Sequence, residues 1–588
     1  MRRRLLLALS ALAMTLGSPA FADCQPQILE LPVRLVGGRP VTTLKLNGTD
    51  VPMLVDSGAF FSMLSATTAR QLKLQTFDLP SSYRVRGFAG EIEGLQRTRI
   101  EKAGFGGKDW TDVEFMVGGN ESEHYQGMLG RSILAMGDTE YDLARGMVKL
   151  VFPQSDCRNA NLAYWAGKDK VFTTPLIGDD PRAPRVAVRI NGKEVTAMMD
   201  TGATHSILQL RAARRAGVKE ADMASMGRVG GAGAGRAQVW MVPVDAFEFG
   251  EQKLSNNRMA VTDAETEDFI LGLDYLLSHR VYVSRLQRKV YATYNGGPVF
   301  SSEGHAAADA SDKAGSEVPQ DADVLMRRGA AAAARNDLQG ALTDLDRACA
   351  LAPHVALYRL ARARVYLEMK RRDAAAADLD EVLKLDPALH EARIERATLY
   401  AQRGDVPQAL VDLQALDAAL PPSAHLRQRM AELYGRHGSA TEALRQWQLW
   451  LDSHPNDVGV DDVLNSRCWM RTTRNFELAL ALDDCRKAVA TDRKNTAYLD
   501  SLGWTYLRLG QPADAVKAFD AALALNARLP GALYGRALAQ LRLGRAEAAK
   551  RDLGEARRLQ PAVDALVRKF GLPTVESAAP EPAAGAAG

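Results

Sequence analysis

The 588-residue sequence has little cysteine, few aromatic side chains and almost no net charge. Its five cysteines include no C-x-x-C pair, which makes zinc-ribbon and thioredoxin-like readings poor. Lys and Arg number 74 against 71 Asp and Glu, a net charge of +3, and no basic run exceeds three residues. Such a balance gives no broad basic field, so no nucleic acid is expected as a main partner. H-E-x-x-H and comparable ligand spacings are missing, so no metal is expected, and no cofactor motif stands out. The glycine-rich stretch Gly230 to Gly235 fails G-x-G-x-x-G at Arg236, and no strand–helix context follows it. Past the N-terminus no apolar run is long enough to span a bilayer, and no stable membrane insertion is expected.

The first 22 residues read as an address. Arg2, Arg3 and Arg4 precede an apolar run from Leu5 to Leu16 and an A-x-A site at Ala20-Phe21-Ala22. Asp23 before Cys24 argues against a lipid-attachment signal. A signal peptide over 1–22 predicts a periplasmic or secreted protein, where disulfides form. Cys24 and Cys157 flank the first of the units described below, and a bridge closing that unit is expected. Cys468 and Cys485 lie on two helices of one repeat, either paired or simply small core residues; Cys349 is left over.

One short pattern occurs twice. Met53 to Leu64 reads M-L-V-D-S-G-A-F-F-S-M-L, and Met198 to Leu208 reads M-M-D-T-G-A-T-H-S-I-L. Each apolar run delivers one aspartate, Asp56 or Asp200, into an Asp-Ser/Thr-Gly-Ala turn. The aspartates are 144 residues apart. The same offset relates Gly58 to Gly202, Ala59 to Ala203, Ser62 to Ser206, and the Asn47-Gly48 and Asn191-Gly192 hairpin turns before them. A second apolar approach ends in glycine in each copy, G-M-L-G-R-S-I-L at Gly127 to Leu134 and F-I-L-G-L-D-Y-L at Phe269 to Leu276. Matching order at a nearly constant offset implies duplication of a whole β-rich unit. The copies are assigned to 23–157 and 170–297.

Apolar-apolar-Asp-Ser/Thr-Gly-Ala, a glycine-bearing hairpin, and then apolar-apolar-Gly-Arg resembles the retropepsin-like aspartic proteases. The second copy has Leu273 where the first has Arg131. The resemblance implies two mostly-β domains forming a pseudo-dimer, with Asp56 and Asp200 as the catalytic pair. Two carboxylates a few ångströms apart cannot both ionise readily, so they share a proton across a bound water. One takes a proton from the attacking water while the other polarises the peptide carbonyl. By the same resemblance Ser57 and Thr201 bond across to the opposite loop, and Gly58 and Gly202 donate N–H groups to the carboxylates. A flap closing over the substrate is implied at Arg86-Gly87-Phe88-Ala89-Gly90 and at Gly230 to Gly235, with Gly87, Phe88, Gly231 and Gly233 as candidate tip residues; a loose surface loop is the other reading. Ala59 and Ala203 stand where many pepsin-like enzymes carry a hydroxyl. The pair should then titrate higher than in acid proteases and work at mildly acidic to near-neutral pH. His205 has no nucleophile at motif spacing and is read as a packing or surface residue.

After a polar linker at 298–321 the pattern becomes helical. Pro353, Pro387, Pro421 and Pro455 recur every 34 residues, in phase with Gly329, Ala363, Ala397 and Ala431 and with Ala341, Ala375, Ala409 and Ala443. The phase slips by four residues after Pro455 and resumes. This resembles tetratricopeptide repeats, and predicts about seven of them over 322–563, an all-α superhelix, with a cap and a disordered tail over 564–588. Such a stack implies a protein partner or a recruited substrate. The whole therefore reads as an exported aspartic endopeptidase acting on a peptide or protein substrate. The alternative is a non-catalytic binding or assembly scaffold with a degenerate protease fold. Pairing of each copy with its equivalent in another chain is the other possible arrangement.

Overall fold

The computed structural model describes residues 24–575 apart from 25, 81–83, 89, 93, 119–123, 181, 231–235, 297–298, 301–320, 438, 456 and 458. The leader 1–22, Gly231, Gly233, most of the linker and the tail 576–588 lie outside the described residues.

Each half of the N-terminal region folds into a closed sheet, and the two follow the same strand order. In the first, Arg39–Leu46 and Thr49–Val55 form the hairpin around Asn47-Gly48, and Thr49–Val55 runs parallel to Gly127–Leu129. Met63–Leu64, Lys108–Val117 and Gln96–Phe105 follow, and Gln96–Phe105 pairs back onto Arg39–Leu46 to close the sheet. The second repeats this with Arg185–Ile190, Lys193–Met199, Phe269–Leu271, Ile207–Gln209, Gln252–Thr262 and Arg236–Phe249. The hairpin turns form where the sequence places Asn-Gly. Asn47 and Asn191 sit at φ 47° and 49°, and Gly48 and Gly192 at 88° and 76°, left-handed backbone that this pair accepts with little strain.

A third, six-stranded sheet joins the halves, in the order Gln27–Pro32, Met147–Phe152, Asp138–Asp142, His279–Ser284, Lys289–Tyr294, Val171–Pro175. Its central pairing crosses between copies, with Glu140 opposite Tyr282. There the Arg280 guanidinium donates to Glu140 at 2.6 and 2.9 Å and lies 4.7 Å from the Trp165 ring centroid. Glu140 is fully buried and also accepts from the Tyr164 hydroxyl, so its charge is paired inside the interface. Tyr164 and Trp165 come from the segment between the two expected units, which thus packs against the joining sheet. One hydrophobic core runs through both halves.

The linker boundary expected at 298 is wrong. Val299 and Phe300 are buried in the second unit's core, and the Phe300 ring meets Phe247 edge-on at 5.0 Å. Two isolated apolar residues beside a polar tract carry no periodic signal, so the sequence pattern passed over them.

Residues 322–559 form seven consecutive helix pairs, from Ala322–Ala334 with Leu338–Leu351 to Pro530–Arg542 with Ala546–Leu559, followed by Val563–Lys569. The in-phase residues Gly329, Ala341, Ala363, Ala375, Ala397, Ala409, Ala431 and Ala443 are all buried, because only small side chains let paired helices approach so closely. An Arg–Asp ladder ties the pairs together. Arg362 donates to Asp378 at 2.7 and 2.8 Å and back to Asp346 at 2.8 Å; Arg396 repeats this with Asp412 and Asp380, and Arg536 with Asp552 and Asp520. The fourth and sixth pairs break the ladder, with Met430 and Gln446 in one and Leu502 and Ala518 in the other at the equivalent positions. Helix Ala322–Ala334 also belongs to the β-rich region: Ala331 lies in its core, and Arg335 Nη1 donates to Leu277 O at 3.1 Å. Cys24 pairs with Cys157 and Cys468 with Cys485, while Cys349 is free and buried. No helix among the described residues is long and apolar enough to cross a membrane.

Candidate active site

The two Asp-Ser/Thr-Gly-Ala turns meet. Each follows a buried strand, Thr49–Val55 or Lys193–Met199, whose parallel neighbour holds the aspartate by its backbone: Asp56 N donates to Leu129 O at 3.0 Å and Asp200 N to Leu271 O at 2.9 Å. The residues after the aspartates then bond reciprocally. Ser57 N donates to Thr201 Oγ1 and Thr201 N to Ser57 Oγ, both at 3.0 Å. The hydroxyls reach further, Ser57 Oγ to Met199 O at 2.8 Å and Thr201 Oγ1 to Val55 O at 2.7 Å. Four buried bonds therefore fix one turn against the other, and a buried donor left unmet here would cost about 1–3 kcal/mol.

Within this frame each carboxylate lies over the other turn's glycine. A Cβ placed on Gly58 would sit 2.5 Å from Asp200 Cγ, and one on Gly202 would sit 2.4 Å from Asp56 Oδ2. No side chain other than hydrogen fits either place. Gly58 N and Ala59 N donate to Asp56 Oδ1 at 2.9 and 2.8 Å, and Gly202 N donates to Asp200 Oδ1 at 2.8 Å. Both aspartates keep part of their surface open, whereas Ser57 and Thr201 are buried.

Burial, and then the charge of Asp200, push the Asp56 carboxyl well above its usual range. Burial raises Asp200 too, but the Gly202 N–H, the bond shared with Asp56 and the positive charge of Arg39 hold it lower. The pair thus holds one proton between its oxygens over a wider pH range than separate carboxyls would. Desolvation is the leading cause of both shifts, and the backbone N–H groups of Ala59 and Ala203 act against it by stabilising the anions.

Other parts were less visible in the sequence. Arg39 Nη1 donates to Gly202 O at 2.8 Å across the interface, and no motif marks it. Ser62 Oγ and Ser206 Oγ accept from Gly130 N and Gly272 N at 3.1 and 2.9 Å, which ties each aspartate turn to the second glycine turn of its copy. Their recurrence at the common offset was the available signal. Asp274 accepts from Ser206 N at 2.9 Å, at the place where Ser132 bonds Ser62 in the first copy. His205 is exposed.

Of the flap candidates, Gly87 ends the strand Val85–Gly87, which pairs with Gly90–Ile92. Phe88 at its tip packs on Ile207, Val239, Ala260 and Ile270 of the second unit, and Arg86 reaches Glu265 there at 2.5 Å. The second hairpin joins Ala224–Gly230 to Arg236–Phe249. Its Arg236 pairs with Asp462, and Arg228 lies 3.6 Å from Asp492, so its stem contacts the helical repeats.

Family models match three parts of the chain. Residues 42–136 match "gag-polyprotein putative aspartyl protease", 186–275 match "Aspartyl protease", and 360–424 and 501–568 match "Tetratricopeptide repeat". No curated protein matches the chain. Among solved structures it is similar to a tetratricopeptide repeat protein from Parabacteroides merdae, at 14% identity over 43% of this chain and 98% of that one, with a TM-score of 0.34. It is also similar to PilW, a type IV pilus biogenesis factor, at 19% identity over 35% of this chain and 94% of that one, with a TM-score of 0.31. A chain of the Cut9–Hcn1 hetero-tetramer is matched at 13% identity and a TM-score of 0.30, over 40% of this chain and only 43% of that one. Two aspartyl-protease-like units are thus joined to tetratricopeptide repeats in one polypeptide.

Proposed function

We propose that this protein is an aspartic endopeptidase whose single active site is shared by its two N-terminal units within one chain. The observation that carries the reading is the mutual placement of Asp56 and Asp200, each over the other turn's glycine and held by the reciprocal Ser57–Thr201 bonds. In the singly protonated pair, the ionised carboxylate accepts a proton from water as that water attacks the peptide carbonyl carbon. The protonated carboxyl donates to the carbonyl oxygen, which gives a neutral gem-diol. Collapse expels the amine, which takes its proton from the pair as the C–N bond breaks. Ser57, Thr201, Gly58 and Gly202 position the carboxylates, and the hairpin carrying Gly87 and Phe88 covers the site.

The helical repeats serve in this reading as a platform that recruits a protein partner or substrate. Export to a periplasm or outward is part of the proposal, supported by the leader pattern and by two disulfide pairs. A statine-type peptide, whose hydroxyl replaces the attacking water, tests the site directly. It should bind the wild type with a stoichiometry of one per chain and bind Asp200→Asn far more weakly. Equal affinity for both would favour the scaffold reading.

A further inference from the structure

The fourth helix pair carries a group of side chains that the repeat pattern does not explain. His425 caps the N-terminal end of Leu426–Arg436, His454 caps the C-terminal end of Ala440–Ser453, and Asp457 follows in the next loop. One ligand atom from each, two imidazole nitrogens and a carboxylate oxygen, all lie within 4.8 Å of one another. At the equivalent positions of earlier repeats stand Leu357 and Glu391, Ala352, Asp386 and Leu420, and Val355, Leu389 and Ser423. No other repeat places histidine there, so inter-helix packing does not demand it.

Three features of the group suit a cation. First, His454 Nδ1 lies 2.8 Å from Trp450 O. A carbonyl can only accept, so Nδ1 carries the proton and Nε2 is the ring nitrogen with a lone pair to offer a metal. Second, the His454 ring is fully buried and stacked on Trp450 at 4.7 Å, which holds it in place, with the half-buried His425 ring 4.7 Å away. Third, the Asp457 carboxylate brings a negative charge to the group, and the carboxyl end of Ala440–Ser453 at His454 offsets the amino end of Leu426–Arg436 at His425. Tetrahedral zinc with bonds of about 2.0–2.2 Å needs ligand atoms about 3.4 Å apart, so modest side-chain rotation closes the present spread.

We infer that His425, His454 and Asp457 form a site for a divalent transition metal of the zinc class, with a fourth position left to water. Two nitrogens and one carboxylate suit zinc better than calcium or magnesium, which prefer all-oxygen shells. The site clips together two loops of the repeats that touch helix Ala66–Gln71 of the first protease-like unit. Arg70 Nη2 donates to Ser453 O at 2.9 Å, and Gln71 Nε2 lies 3.5 Å from Ser423 Oγ. Metal binding would therefore stiffen the contact between the platform and helix Ala66–Gln71. The inference stands apart from the proposed peptidase chemistry, because no atom of the site belongs to the aspartate turns.

The test uses the untagged full chain, stripped with chelator and titrated with Zn²⁺ by calorimetry and with Co²⁺ by visible absorption. His454 is buried, so His425→Gln and Asp457→Asn carry the comparison. The expected result is one equivalent of metal with a tetrahedral Co²⁺ band, weakened about tenfold or more in both variants. Zn²⁺ should also slow amide exchange over 421–425 and 453–460 in the wild type alone. Binding that is absent, or that both variants retain unchanged, would overturn the assignment and leave a hydrogen-bonded His–Asp cluster.

Discussion

Gly58→Ala is the substitution whose effect follows most directly from the geometry. The added methyl would lie 2.5 Å from Asp200 Cγ and Oδ2 and 2.7 Å from Oδ1, where ordinary contact begins at 3.4 Å. The Asp200 carboxylate, or the whole turn bearing Ala59, must then retreat by about 0.9 Å, and a displacement near 1 Å at reacting groups costs about 10²-fold in rate. That equals about 2.7 kcal/mol of transition-state stabilisation. Gly202→Ala, whose methyl would lie 2.4 Å from Asp56 Oδ2, should behave alike because the arrangement is nearly two-fold symmetric. Steady-state cleavage of a quenched fluorescent peptide gives kcat/KM, with circular dichroism and thermal melting to show that the variant folds. A folded Gly58→Ala protein within about threefold of wild-type kcat/KM would refute the placement of the carboxylates over the opposite glycines.

Asp56→Asn should separate stability from activity. A carboxyl raised on folding binds its proton more tightly in the native state, so its contribution is present below the unfolded pKa and lost as pH rises through the folded value. At neutral pH the variant should therefore be the more stable protein, by about 1.4 kcal/mol per unit of raised pKa, and the advantage should vanish on acidification. Denaturant titration at several pH values reads this; a variant less stable at neutral pH contradicts it. Arg280→Met strands the buried Glu140 charge in the sheet joining the two halves and should cost about 3–5 kcal/mol in urea unfolding. A cost below about 1 kcal/mol would mean that the pair does not hold that interface. A chain ending at Pro353, which keeps the first helix pair, should cleave a short peptide as the full chain does but lose preference for a folded protein substrate. Ending it at residue 321 instead should damage peptide cleavage too, because Ala331 and Arg335 pack on the β-rich region.

Much of the site could be read from the chain because its parts are local. An apolar run, an Asp-Ser/Thr-Gly-Ala turn and an Asn-Gly hairpin each declare themselves within a dozen residues, and their recurrence at one offset showed the duplication. The helical repeats were legible for a similar reason, since small residues return at a fixed period where helices touch. The contacts that were missed are those made across long sequence separations. Arg39 reaches Gly202, and Glu140 meets Arg280, through strand pairing that no local pattern announces. The Arg–Asp ladder was present at the same period as the alanines, but its significance depends on which helices lie side by side. Val299 and Phe300 were assigned to the linker because two apolar residues form no period, although tertiary packing claims both. The cause of the raised aspartate pKa was also out of reach, because burial is a property of the folded pair.

The most direct test of the shared active site is kcat/KM for wild type, Asp56→Asn, Asp200→Asn and an equimolar mixture of the two variants, each checked for folding. One site built from both halves of a single chain predicts cleavage by the wild type, a loss of at least about 10³-fold in each variant, and no recovery on mixing. An inactive wild type, an active single variant, or activity restored by the mixture would contradict it.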